Sequence, residues 1–138
     1  MTSPAYADAT AAVCAWINAQ QYLVGRGRPL AAGAHRDPQK SPSSGAVAWV
    51  TTTSTAGDLS QGAFSYPLLT IAVYGMTDAN AARGAAAVAN ALAALEGDAQ
   101  PVGDTVLLAV DSITGPSRLP DGGEHRYLID AVIAITPA

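Results

Sequence analysis

Apolar and polar positions change period in the middle of the chain. Residues 66–95 read YPLLTIAVYGMTDANAARGAAAVANALAAL. The run 68–74, with Ile71 and Val73, has the length and β-branched content of a strand buried on at least one face. Pro67 is placed at its beginning, because a ring nitrogen cannot donate to a ladder. Gly75 breaks the strand, Thr77 is a helix cap, and Asp78 places a carboxylate at the positive end of a helix that begins there. Along that helix Ala81, Ala85, Val88, Leu92 and Leu95 recur at spacings of four and three, which predicts one buried stripe. Gly97 supplies the stop.

The same reading extends over the rest of the chain. Ser3 and Pro4 open a first helix from about 4 to 22, with Tyr6, Ala9, Val13, Ile17 and Gln20 on one side and Asp8, Asn18 and Gln21 towards water. Positions 24–45 carry Gly and Pro throughout and show no period, so a long loop or arm is expected there; loops of that length are usually functional. Residues 46–55 alternate Val47, Trp49, Thr51 against Ala48, Val50, Thr52 as a strand. A third strand is expected at 105–112. A fourth, at 126–136, is joined to it by a connection at 114–125 that contains PDGG. This last strand is apolar on both faces, with Leu128, Asp130, Val132, Ala134 and Thr136 opposite Tyr127, Ile129, Ala131, Ile133 and Ile135. Such a strand needs a cover on each side. The fold expected is α+β, a single domain over 1–138. It is a mainly antiparallel sheet of four strands or slightly more with two helices on one face, in the order α-β-β-α-β-β.

Composition narrows the function classes. The chain has 138 residues, of which only 13% are charged while 49% are hydrophobic. A typical globular chain carries about a quarter charged residues, so a subunit of an assembly is expected here. No window approaches the ~20 apolar residues of a membrane span, and MTSPAYADAT lacks the layout of a secretory signal, so no membrane partner is expected. The single cysteine, Cys14, excludes an internal disulfide framework. A formal net charge of −4 argues against nucleic-acid binding by the whole surface.

No catalytic pattern emerges. There is no Gly-x-Ser-x-Gly elbow, Cys14 lies between Val13 and Ala15 as an apolar filler, and His35 and His125 have no partners at metal-ligand spacing. The aspartates lie at element ends and turns, where capping is their usual work. Neither an enzyme nor a cofactor or metal requirement is expected. Two sets of residues are interface candidates. Arg26, Arg28, Arg36 and Lys40 concentrate positive charge in the 24–45 segment, to meet an acidic neighbour or nucleic-acid phosphates. Leu128, Asp130 and Val132 lie on the second face of the last strand, where Asp130 is either at a sheet edge facing water or in an ion pair across an interface.

LLTIAVYGMTDANAARGAAAVANALAAL at 68–95 and RYLIDAVIAITPA at 126–138 resemble the tail terminator and tail-completion proteins of long-tailed, siphovirus-type bacteriophages. The resemblance covers most of the chain as an order of elements and about a third of it as sequence. It implies a virion structural protein that assembles in the host cytoplasm and forms a hexameric homo-oligomeric ring at the head-proximal end of the tail. There it would stop polymerisation of the major tail tube protein and offer the surface that joins the head-completion or connector protein. DNA would pass through its lumen without specific binding. A head-completion stopper or tail-tube subunit is the neighbouring reading. A small-molecule-binding α+β module, or a nucleic-acid binder using the 26–40 arm, is the reading from a different class.

Overall fold

The computed structural model describes residues 8–20, 23–24, 28–33, 46–58, 64–95, 99–121 and 124–137. In chain order the elements are α1 (Ala9–Gln20), β1 (Leu23–Val24), β2 (Arg28–Gly33), β3 (Ala46–Asp58), β4 (Phe64–Gly75), α2 (Asp78–Ala94), β5 (Gln100–Val102), β6 (Thr105–Asp121) and β7 (Glu124–Pro137). The chain is mostly sheet. Strands β2 to β7 make one curled, mixed, half-barrel sheet, and the two-residue β1 extends it to the order β1-β2-β3-β4-β7-β6-β5.

Alternation along the long strands builds the inner face. Ala46, Ala48 and Val50 of β3, Leu69, Ile71 and Val73 of β4, Leu107 of β6, and Ile129, Ala131, Ile133 and Ile135 of β7 are all buried in one cluster with both helices. From α2 come Ala85, Val88, Ala91, Leu92 and Leu95, and from α1 Ala9, Ala12, Val13, Cys14, Trp16 and Ile17. The small side chains of α2 let it lie close to the sheet. At Gly84 an added Cβ would lie 2.9 Å from both Ala46 Cβ and Val73 Cγ1. Thr77 caps α2, its hydroxyl accepting from the Asn80 amide at 3.1 Å. Asp8 does the same for α1, accepting from the Ala11 amide at 3.0 Å.

Several expectations are overturned. The sheet is a curled, mixed one of seven strands rather than about four, with β2 and β3 paired in parallel, and the element order is not α-β-β-α-β-β. Within the expected 24–45 loop, Arg28–Gly33 is a strand that pairs in parallel with β3, Leu30 opposite Ala46 and Gly33 opposite Trp49. Parallel pairing brings together segments with no tight turn between them, so no local signal announces it. Leu30, buried in the core, is its anchor. Its other side is held by Asn18 of α1, whose amide donates to the Ala32 carbonyl at 3.1 Å and accepts from the Ala32 N–H at 2.9 Å.

The connection expected at 114–125 is also mostly strand. β6 runs on to Asp121 by absorbing Gly115 and Pro116 in a register shift between Thr114 and Ser117. Gly115 there has φ 102°, and a Cβ would strike the Leu128 carbonyl oxygen at 2.6 Å. Pro67 is the fourth residue of β4, beyond the beginning where it was expected. The β4–β7 ladder pairs Ser65 with Ile135 and Leu68 with Val132 but has no pair at 66 or 67, consistent with the missing proline donor. The first helix begins at Ala9 in the described residues. Ser3, Pro4, Tyr6 and the expected stop at Gly97 lie outside them.

Candidate interaction surface

The outer face of the sheet carries the side chains that alternate with the core. Three rows cross its long strands. Trp49 of β3 is opposite Ala72 of β4, which is opposite Leu128 of β7, which is opposite Ser117 of β6. One row along, Thr51, Thr70, Asp130 and Thr114 align in the same way, and the next joins Ser54, Leu68, Val132 and Ser112. Trp49, Leu68, Ala72, Leu128, Val132 and Ala134 are half-buried rather than buried. Both helices bury their side chains on the inner face. The Trp49 ring leans towards β2, so that a Cβ at Gly33 would sit 2.6 Å from it.

Leu128, Asp130 and Val132 are therefore brought together on this face. β7 is flanked by β4 and β6, so Asp130 is not at a sheet edge, and that reading of it is corrected. Its Oδ1 accepts from the Thr70 hydroxyl at 2.8 Å, and the side chain is exposed. The middle row is thus a hydroxyl, hydroxyl, carboxylate, hydroxyl strip between two rows whose central members, Ala72 and Leu128 on one side and Leu68 and Val132 on the other, are apolar. At the far end of the face Arg126 stacks over Tyr74, its guanidinium carbon 5.9 Å from the ring centre, and donates to the Tyr74 hydroxyl at 3.4 Å. Arg28 begins β2, its side chain outside the described residues, and Arg26, Arg36 and Lys40 lie outside them altogether.

A second polar group ties α2 to the β6–β7 hairpin. The Asp78 carboxylate accepts from Arg118 Nε at 2.8 Å and from the Tyr127 hydroxyl at 3.3 and 3.2 Å. Arg118, then Tyr127, hold the Asp78 carboxyl below its ordinary value, against a smaller opposing effect of desolvation. Desolvation and the neighbouring carboxylate push the Tyr127 phenol up. Sequence reasoning saw Asp78 as a helix-end charge but missed both partners, which are 40 and 49 residues away. No group of three or more His, Cys, Asp or Glu among the described residues could hold a metal ion. Cys14 is buried, its thiol pushed up to about 11 by burial and then by Asp8, so it is a packing residue.

A scan against protein-family models found no match, and a search of curated proteins found none either.

Proposed function

We propose that this protein is a structural subunit of a long-tailed phage tail, a terminator that forms a ring at the head-proximal end of the tail tube. The reading rests on the strand-to-helix unit at 68–95 and the closing segment at 126–138, which resemble that family. It is carried physically by the outer sheet face. A half-buried apolar surface with one exposed carboxylate at its centre, in a chain with only 13% charged residues, has the character of an interface. The work is geometric and stoichiometric: copies assemble, end the tube, and present a joining surface to the connector.

The test is assembly. Sedimentation of the purified protein at high concentration, and electron microscopy with added tail tubes, should show closed rings that cap tubes and halt their growth. A strictly monomeric species that leaves tubes uncapped would sink the reading. A protein that polymerises without stopping would instead be a tube subunit.

A further inference from the structure

The sheet ends in two open edges that fit one another. On one side β2 pairs with β3 only as far as Trp49, so the outer edge of β3 from 50 to 58 has no partner strand among the described residues. On the other side β5 pairs only with Thr105 to Leu107, so the outer edge of β6 from 108 has no partner strand among the described residues. Both edges are open at the same rows, since Thr51 and Thr114 are the two ends of one row and Ser54 and Ser112 of the next. Each step from β3 through β4 and β7 to β6 is antiparallel, so β3 and β6 run in opposite directions.

An open edge normally carries charge or proline that blocks pairing. The stretch 50–57, VTTTSTAG, has neither, and 108–114, LAVDSIT, has one aspartate and no proline, whereas Asp58 beyond the first and Pro116, Arg118 and Pro120 beyond the second confine the pairing to these two stretches. We infer that the partner of each edge is a second copy of this chain, β3 of one copy adding antiparallel to β6 of the next. This rests on the ring reading above and names its interface. The contact is head-to-tail, the kind that closes into a ring when the rotation between copies divides the circle. It extends the Thr51, Thr70, Asp130, Thr114 row from copy to copy as one continuous polar strip. Bulges in β6 next to Leu108 and Asp111 set the local twist with which the neighbour is received.

Disulfide trapping tests it. Thr51 and Thr114 are both exposed, and within one chain they are three strand spacings apart, about 14 Å. A disulfide needs Cα atoms within about 7 Å, so the bond cannot form inside a copy. The double variant Thr51→Cys with Thr114→Cys, oxidised after its circular dichroism and melting are checked against the parent, should give a ladder of cross-linked multimers ending at the ring size. Thr51→Cys with Ser112→Cys covers a register one row away and also serves if the first pair does not fold. Buried Cys14 contributes no bond. No ladder from either folded pair overturns the inference, as does efficient dimer formation by Thr51→Cys alone, which would mean β3 pairing with β3. Tail-tube capping, measured in parallel, separates the two ideas. Capping without cross-links fails the edge pairing alone, whereas cross-linked rings that cap nothing keep the pairing and remove the terminator role.

Discussion

Arg118, near the tip of the β6–β7 hairpin, donates through Nε to Asp78, the first residue of α2, at 2.8 Å. With Tyr127 on the same carboxylate, this fastens a long hairpin to the helix layer. Because the folded Asp78 carboxyl titrates below its ordinary 3.8, the ionised form favours the fold. Its stabilisation is complete above that ordinary value and is lost as pH falls through the lower folded value. Melting of the protein and of Asp78→Asn should therefore differ at pH 7 and converge below pH 3.8. An equal gap at both would show that the charge is irrelevant. The raised Tyr127 phenol predicts the opposite limb, a stabilisation present below 10.0 and lost as pH rises through its folded value.

Gly84 is the point where α2 has no room to spare. Gly→Ala in a helix ordinarily gains roughly 0.5–1 kcal/mol, but here the new methyl meets Ala46 Cβ and Val73 Cγ1 at 2.9 Å. Neither neighbour can swing aside, and overpacking of this kind costs about 1–3 kcal/mol. Gly84→Ala should be net destabilising by about 1 kcal/mol in urea unfolding at unchanged m. An increase in stability would show that helix and sheet separate easily.

Asn18 stands in for a strand. Asn18→Ala removes both bonds to the Ala32 backbone, each worth about 0.5–1.5 kcal/mol and less where water can replace them. Hydrogen exchange of the Ala32 amide should accelerate at least tenfold while amides in β4 and β7 keep their protection. A uniform change across the sheet would mean that β2 does not open separately.

Cys14 offers a clock for global opening. It is 8% exposed, and its thiol is pushed up to about 11, so at pH 8 it stays protonated as well as covered. Labelling by a thiol reagent should be slow in buffer and rise with urea along the unfolding curve. Fast labelling of the native protein would contradict the packing of α1.

What could be read from the sequence followed the range of the interactions. The stripe Ala81, Ala85, Val88, Leu92, Leu95 was legible because a helix writes its buried face at a fixed local period, and all five are buried. Of the four long strands, β3, β7 and the first half of β6 were legible from alternation and β4 from its short apolar run. β2 was not, since RPLAAG is short, contains Pro and Gly, and depends on a parallel neighbour thirteen or more residues on. Gly115 and Pro116 misled for a related reason: they punctuate most chains, but β6 keeps its pairing with β7 around them by shifting register. On the surface, Leu128, Asp130 and Val132 were visible as a second apolar face, whereas Thr70 and Trp49, which complete it, come from strands paired at a distance.

The place of β7 in the sheet has a consequence for how the molecule is made. It follows every other strand in the sequence, yet it sits between β4 and β6 and supplies Ile129, Ala131, Ile133 and Ile135 to the core. Until it leaves the ribosome the β1 to β4 half and the β5–β6 half have no shared ladder, so joining them waits until β7 has been made. A nascent chain stalled before 124 would hold two unjoined half-sheets with bare edges, the species most exposed to aggregation and to chaperones.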